Sequence, residues 1–133
     1  MTMPTVPHPT EGELAILHVL WDRACPCTVR EVHDALLRHK DTAYTTVLKM
    51  LTIMADKGLV QRDESGRSHR YAAVYAQPAV QSVMVKDLLR RAFAGSALQL
   101  VQRALDVDKP SRDELEAIER LIAEAKAARR RRG

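Results

Sequence analysis

The chain has 133 residues and a formal net charge of +4, and 46% of its residues are hydrophobic while only 4% are aromatic. This length allows one compact domain with an extension, with a core built mainly from aliphatic side chains. No apolar run approaches the roughly 18 residues that span a bilayer, and residues 1–9 lack the apolar stretch of a signal peptide, so we expect a soluble, cytoplasmic protein. No Gly-rich phosphate loop, H-E-x-x-H or G-x-S-x-G pattern is present, which argues against an enzyme.

Two amphipathic helices are predicted near the start of the chain, each preceded by a capping box. In T-E-G-E at residues 10–13, the threonine can accept from an amide three residues on while the glutamate reaches back. Apolar residues then recur at helical spacing over residues 11–22, which predicts a first helix. The same box, T-V-R-E at residues 28–31, precedes a second helix over residues 29–38.

A third helix and a β-hairpin follow. We predict a helix over residues 43–57, with Thr42 as its N-cap and with Gly58 placed where a helix-ending glycine adopts positive φ. Two short strands are then expected at residues 59–62 and 70–74, joined by a polar turn. Three helices followed by such a hairpin are the order of a winged helix-turn-helix domain, so the predicted fold class is mainly α with a small β-hairpin.

The predicted third helix is the candidate DNA-reading element, because the major groove admits one helix. Residues 38–70 carry seven Lys or Arg and four Asp or Glu, a local basic bias that suits phosphate contacts. The predicted β-hairpin is the wing of such a domain, and it adds basic side chains suited to phosphates or the minor groove. The candidate DNA-binding residues are Thr28, Thr42, Tyr44, Thr45, Thr46, Leu48, Lys49, Arg67, His69 and Arg70. The alternative is a winged-helix adaptor that binds proteins and has no DNA role.

The second half of the chain predicts three further amphipathic helices. They lie at residues 79–93, at residues 97–105, and beyond a third capping-box pattern at residues 111–114. A single helix cannot bury such an apolar stripe, so we expect self-association, the alternative being that these helices fold back on the first domain. We therefore divide the chain into a DNA-binding domain (1–76) and a helical dimerisation domain (77–133). The candidate dimerisation residues are Val80, Met84, Leu88, Leu98, Val101, Leu105, Leu115, Ile118, Leu121 and Ile122.

Cys25 and Cys27 form an isolated C-x-C pair. Zinc sites normally need four ligands at defined spacing, and only His18 and His33 lie near in sequence, so we predict neither a metal site nor a cofactor. Two reduced thiols in a loop are the simplest interpretation. A regulator that senses metal or oxidant through these thiols remains an alternative hypothesis.

Several segments together resemble the penicillinase-repressor family of BlaI/MecI type. The resemblance covers nearly the whole chain and is most specific over the first 75 or so residues. The pairing of L-W at the end of the first helix with A-Y-T-T-V at the start of the third carries most of the specificity. The matching segments are E-L-A-I-L (13–17), L-W (20–21), T-V-R-E-V (28–32), A-Y-T-T-V (43–47), K-G-L-V (57–60) and H-R-Y (69–71).

The resemblance implies a dimeric repressor that binds a TACA/TGTA-type dyad in a resistance, stress-response or metal-response operon. It also implies that DNA contacts come from the start of the third helix, at Thr45, Thr46, Leu48 and Lys49, and from the wing near Arg70. Proteins of this type are often released by a membrane metalloprotease sensor, which the resemblance implies as a partner.

The chain also departs from the family pattern. Related repressors are often cleaved at an Asn-Phe bond, but Arg103-Ala104 stands at that place, which puts release by that cleavage in doubt. The copper-responsive branch has paired cysteines near its C-terminus, and this chain has none there. The four arginines at residues 129–132 form a basic tail, and the sequence leaves open whether it contacts DNA.

Overall fold

The computed structural model describes residues 6–133 and shows a mainly helical chain with one small antiparallel sheet. The predicted fold class is therefore correct in its secondary structure. In chain order the elements are α1 (Glu11–Arg23), β1 (Cys27–Thr28), α2 (Val29–Leu37), α3 (Tyr44–Lys57), β2 (Val60–Asp63), β3 (Arg70–Ala73), α4 (Gln77–Ala92), α5 (Ala97–Val107) and α6 (Arg112–Arg132).

The chain divides into two compact units between Asp87 and Leu88, inside α4. The boundary that we expect from the sequence, between residues 76 and 77, lies at the first turn of the same helix. The first part of α4 belongs to the first unit because Val80 is fully buried there.

Both N-terminal capping boxes form as predicted. The Thr10 hydroxyl accepts from the Glu13 amide at 3.2 Å, and the Glu13 carboxylate accepts from the Thr10 amide at 2.8 Å. Thr28 and Glu31 repeat this exchange at 3.2 and 2.9 Å. Each box satisfies two amides that the helix leaves without a partner, so both helix starts are fixed by local sequence.

The start of α3 differs from the prediction. Ala43, not Thr42, is the N-cap, and no side chain caps the helix. Thr42 is instead held within the preceding turn, since its hydroxyl lies 3.5 Å from the Lys40 carbonyl and its own carbonyl accepts from His33 Nε2 at 2.7 Å. The end of α3 is as predicted, with Gly58 at a φ of 83°.

The sheet has the order β1-β3-β2, with both pairings antiparallel. Strand β1 was not predicted: the sequence analysis placed Cys27 in a loop, but Cys27 pairs with Tyr71 and is fully buried. A strand of two residues is too short to show an alternating pattern. The prediction of β2 began one residue early, since Leu59 precedes the strand, although it is buried as well.

The core of the first unit lies between α1, α2, α3 and the sheet. Most of its members are aliphatic, and Tyr71 is aromatic, as the low aromatic content leads one to expect. Its buried members are Ile16, Leu17, Leu20, Cys27, Val29, Val32, Val47, Leu51, Met54, Leu59, Val60 and Tyr71. The Trp21 indole lies at the edge of this core and donates to the Tyr75 carbonyl at 3.0 Å, which ties α1 to the chain after β3.

One buried charge joins α1 to the end of α3. Glu13 is 4% exposed, and its carboxylate accepts from the Lys57 ammonium at 2.7 Å in addition to capping α1. Burial alone would raise the pKa of Glu13, but hydrogen bonds from Lys57 and Thr10 outweigh burial, so the pKa lies below its usual value. The ionised carboxylate therefore stabilises the fold.

The second unit has no buried core of its own. Neither α5 nor α6 contains a buried residue, although α5 is strongly amphipathic. The Ser111 hydroxyl accepts from the Glu114 amide at 3.2 Å, which is half of the predicted third capping box. The apolar faces of α5 and α6 are left largely in contact with solvent in the single chain.

We predict that Glu13→Gln lowers the free energy of unfolding by about 1–2 kcal/mol. Glutamine can still cap α1, but it cannot neutralise Lys57, and Lys57 is exposed enough to regain part of its hydration. Urea titration followed by circular dichroism measures the change, and Glu11→Gln, in the same turn but exposed, should change it by less than about 0.5 kcal/mol.

The loss of unfolding free energy in Glu13→Gln should also depend on pH. Because the folded pKa of Glu13 is lowered, its contribution is complete above the usual value of 4.5 and disappears as the pH falls through the folded value. The difference between wild type and Glu13→Gln should therefore shrink in acid, and a difference that grows in acid would contradict this assignment.

Candidate nucleic-acid interface

Helix α3 has one buried face and one open face. Val47, Leu51 and Met54 are fully buried and fix the rotation of the helix about its axis. The opposite face is exposed along its length, with Tyr44 41% and Leu48 42% accessible. The predicted contact residues Tyr44, Thr45, Leu48 and Lys49 are all exposed.

Two threonines of α3, Thr46 and Thr52, are less available for DNA contacts than their exposure suggests. Thr46 is exposed but lines a groove of about 860 Å³ that α1, the end of α2 and the following turn form on the side of the helix. The Thr52 hydroxyl donates to the Leu48 carbonyl at 2.9 Å within the helix, so its proton is already engaged. The open face of α3 therefore offers fewer polar side chains for DNA contacts than the helix contains.

A cluster from α2 surrounds the first residue of α3. The Arg30 guanidinium lies 5.9 Å from the centre of the Tyr44 ring, and the His33 ring meets Tyr44 edge-on at 5.6 Å. His33 also donates to the Thr42 carbonyl, since a carbonyl only accepts. These contacts fix the start of α3 against α2.

Sequence reasoning missed Arg30. The residue lies inside the T-V-R-E capping pattern and is exposed beside Tyr44, and among the described residues no carboxylate lies within ion-pair distance of it. No sequence pattern shows this, because the place of Arg30 beside Tyr44 depends on how α2 packs against α3. Arg30 extends the basic surface from α3 onto α2.

The wing is exposed from Gln61 to Arg70. Its turn is built locally, because the Asp63 carboxylate accepts from the Ser65 amide at 2.9 Å and the Arg62 guanidinium pairs with Glu64 at 2.9 Å. Arg67 and His69 lie in the turn itself, and Arg70 is the first residue of β3. The predicted wing residues are therefore open to solvent.

Glu31 lies among these basic groups. Its carboxylate lies 3.4 Å from the Arg70 guanidinium and 3.3 Å from that of Arg23, while it also caps α2. Hydrogen bonds from Thr28 are the main reason that the pKa of Glu31 lies below its usual value, and the positive charges of Arg70 and Arg23 lower this pKa further. Thr28, a predicted contact, is itself half-buried and engaged in this cap.

The two cysteines have different surroundings. Cys25 is exposed, whereas Cys27 is buried and its thiol lies 3.3 Å from the Cys25 carbonyl. Burial raises the pKa of the Cys27 thiol, and Cys25 and Glu31 raise it further, so the protonated form is favoured. Within residues 6–133, no three His, Cys, Asp or Glu side chains come together as a metal site would need.

The predicted dimerisation residues are exposed to very different extents. Leu98 is 77% and Leu121 63% accessible, and Leu88, Val101, Leu115 and Ile122 are also exposed. Met84, Leu105 and Ile118 are half-buried. The prediction that Val80 is a dimerisation residue is wrong. Its side chain is 1% exposed inside the first unit, so it has no surface to offer a partner.

Three helices, a buried core that is mainly aliphatic, and an antiparallel hairpin whose turn is polar and basic define a winged helix-turn-helix domain, in which α2 and α3 form the helix-turn-helix pair. The family model for the penicillinase repressor matches residues 9–124. The chain belongs to the penicillinase repressor family, as its sequence pattern indicates, and is a DNA-binding transcriptional repressor and not an enzyme.

A relative found by its sequence agrees with this assignment. The chain is 36% identical over 115 residues to the transcriptional regulator BlaI of Mycobacterium tuberculosis. The matched region covers 86% of this chain and 83% of that protein. The solution structure of monomeric Bacillus licheniformis BlaI in complex with the blaP half-operator is 22% identical with a TM-score of 0.49, and covers 58% of this chain and 93% of that one. The complex structure of hsRosR-S4 has a similar fold, with 18% identity, a TM-score of 0.50 and coverage of 90% and 91%.

In the described part of the chain, no helix combines the length and the apolar character that crossing a bilayer requires.

We predict that Glu31→Gln strengthens binding to DNA of any sequence several-fold at low salt. Glutamine preserves the capping box, as glutamate does. Removal of the carboxylate takes away the ion-pair partner that Arg70 and Arg23 share, so both are more available to phosphates. Fluorescence anisotropy on labelled duplexes measures the change, with Asp34→Asn, an exposed neighbour on α2 that contacts neither arginine, as the matched control. Unchanged affinity for Glu31→Gln would show that Glu31 does not restrain these side chains during binding.

Proposed function

We propose that this chain is a homodimeric repressor that binds a two-fold symmetric operator. One observation carries the proposal: the buried face of α3 fixes the helix, and its open face begins beside the exposed Arg30 of α2, whose neighbour Glu31 pairs with the exposed Arg70 of β3. Hydroxyl, lysine and apolar side chains on that face match the edges of bases in the major groove. The two arginines are suited to the phosphates that position the helix.

The apolar faces of α5 and α6 support the dimer. The exposed leucines and valines described above would cost free energy in a lone monomer at about 25 cal/mol for each Å² kept in water. Exposed apolar surface of this extent usually marks an association surface. A symmetric partner would cover the same residues on both copies, and two winged helices related by a two-fold axis read the two halves of a palindrome.

The finer features of the operator rest on the family resemblance. A TACA/TGTA-type dyad upstream of a resistance or stress-response operon is the expected target, and a membrane metalloprotease sensor system is the candidate route of release. Arg103 and Ala104 stand where related repressors carry the cleavage bond, so a release mechanism that does not cut this bond deserves a direct test.

The proposal is tested by selecting bound sequences from random duplex DNA and by sedimentation equilibrium of the free protein. We expect an inverted repeat with half-site centres about one helical turn apart and a dimer at micromolar concentration. A selected motif without two-fold symmetry, or a protein that remains monomeric with and without DNA, would refute the homodimer on a palindrome.

Single alanine substitutions at Lys49, Arg70 and Arg30 should each weaken operator binding. The expected loss is about 1–3 kcal/mol where the side chain meets a base, or a decrease of about 1 in the slope of log affinity against log salt where it meets a phosphate. Arg38→Ala removes the same charge from the far end of α2 and serves as the control. Unchanged affinity and slope in all three variants would remove α3 and the wing from the interface.

Leu121→Asp should give monomers that bind the operator weakly, because it places a charge in the exposed apolar stripe of α6. Sedimentation velocity and anisotropy measure the two effects. Ala123→Asp introduces the same charge nearby but off the stripe and should remain dimeric. A Leu121→Asp variant that dimerises like wild type would place the interface elsewhere.

A further inference from the structure

Cys25 and Cys27 lie close together where the chain passes from α1 into β1. Ala24, the C-cap of α1, adopts a left-handed conformation with a φ of 55° and turns the chain there. The Cys27 thiol is directed back towards Cys25 and donates to its carbonyl at 3.3 Å. Pro26 stands between the two cysteines and restricts the backbone that joins them. One thiol of the pair is therefore held against the backbone of the other residue.

The two thiols differ in their access to solvent. Cys25 is exposed, whereas Cys27 is fully buried in the core of the first unit. A dissolved oxidant therefore meets Cys25 first. Burial raises the pKa of Cys27, and the neighbouring Cys25 raises this pKa further, so the Cys27 thiol stays protonated. Because the thiolate is the reactive form, Cys27 is protected from an oxidant in solvent and is left to react with a sulfur that lies beside it.

Strand β1 has few contacts with the rest of the sheet. Its two residues form only two pairs with β3, whereas β2 and β3 pair at four positions. A strand of this length can separate locally while the β2–β3 hairpin stays intact. A disulfide requires its two sulfurs to lie about 2 Å apart, so such a local movement is needed to bring the Cys27 sulfur to that of Cys25.

We propose that Cys25 and Cys27 form a redox-active pair that hydrogen peroxide oxidises to a disulfide within one chain. The Cys25 thiolate attacks the peroxide and its O–O bond breaks, so that Cys25 becomes a sulfenic acid and the departing hydroxide takes up a proton to give water. The Cys27 sulfur then attacks the Cys25 sulfur: the S–S bond forms, the S–O bond breaks, and the second hydroxide leaves with the Cys27 proton as water. The two thiols lose two electrons and two protons, and the peroxide is reduced to two waters.

The proposed disulfide is reversible. It spans a single residue and therefore closes a small ring, and strained disulfides are reduced readily by cellular thiols. Disulfides of intracellular proteins are mostly transient bonds of this kind, with roles in catalysis or in redox sensing.

Oxidation would change the surface that we propose for DNA binding. In the reduced fold, Cys27 and Thr28 pair with the start of β3, and Thr28 also caps α2 together with Glu31. Glu31 in turn pairs with Arg70 of the wing at 3.4 Å. Movement of Cys27 towards Cys25 would take Cys27 out of the core and draw Thr28 away from Arg70. We therefore expect oxidation to weaken DNA binding; this last step rests on the proposed function, whereas the thiol chemistry does not.

Alkylation after exposure to hydrogen peroxide tests the chemistry. The whole protein is oxidised, unfolded, and alkylated with and without prior reduction, and its mass is then measured. We expect both thiols to resist alkylation until a reductant is added, in a product that stays a single chain on a non-reducing gel. Cys27→Ala should stop at a sulfenic acid on Cys25, which a dione reagent traps. Cys25→Ser, which alters only an exposed side chain, should leave Cys27 reduced and is the matched control.

Fluorescence anisotropy on a labelled duplex from the selected pool tests the consequence. Oxidised wild type should bind DNA about tenfold more weakly than reduced wild type, and dithiothreitol should restore the affinity. Cys25→Ser should bind like the reduced wild type before and after peroxide treatment. This variant keeps the buried thiol and the pairing of β1, so a loss of affinity that it also shows would be damage elsewhere in the chain and would overturn the role of the pair.

The remaining outcomes separate this inference from the proposed function. Free thiols after peroxide treatment, a disulfide that joins two chains, or conversion of Cys25 to a sulfinic or sulfonic acid would each overturn the redox pair. An intrachain disulfide that leaves DNA affinity unchanged would overturn its link to the wing. Protection of both thiols by Cu(I), with no disulfide after peroxide, would make the pair a soft-metal site and would also overturn the inference. A reduced protein that binds no duplex removes the proposed function, while the disulfide is still detected by mass.

Discussion

The burial of one face of α3 determines how the whole first unit can act. Val47, Leu51 and Met54 leave the helix no freedom to rotate, because each is fully enclosed by α1, α2 and the sheet. A change of rotation would expose these side chains and bury Lys49, at a cost of several kcal/mol. The contacts from Lys57 to Glu13 and from Thr42 to His33 hold the two ends of the same helix. In the proposed function, this fixed presentation is what would allow the open face of α3 to meet the edges of the bases.

One carboxylate, that of Glu31 on α2, pairs with two arginines of the first unit. Glu31 joins the cap of α2, the arginine at the end of α1 and the arginine at the start of β3. The Glu31 carboxylate therefore links α1, α2 and β3. Because Glu31 is partly exposed, its ion pairs are individually weak. In the proposed function, this weakness would let the guanidinium groups exchange the carboxylate for a phosphate.

Local sequence determines the parts of this fold that local physics controls. Capping boxes at Thr10 and Thr28 and the glycine at residue 58 predicted helix ends correctly, because each motif satisfies backbone groups within a few residues. Strand β1 depends on pairing with β3, more than forty residues away, and could not be predicted from two residues. Thr42 failed as a cap because contacts to Lys40 and His33 compete for it. Val80 has the spacing of an association residue, and only tertiary packing shows that it is already enclosed. Arg30 was missed because its role depends on the position of Tyr44 in space.

If the proposed dimer forms, the lack of any buried residue in α5 and α6 would link the folding of the C-terminal region to the amount of protein present. If these helices gain their core only on association, dilution lowers both the dimer population and the stability of that region. Dimer concentration then falls as roughly the square of monomer concentration when monomers dominate, so gene control would respond more steeply than linearly to protein loss. The same dilution would leave α5 and α6 poorly protected, and cellular proteases would remove monomers faster than dimers. A modest drop in synthesis would thereby be amplified into a sharp relief of repression.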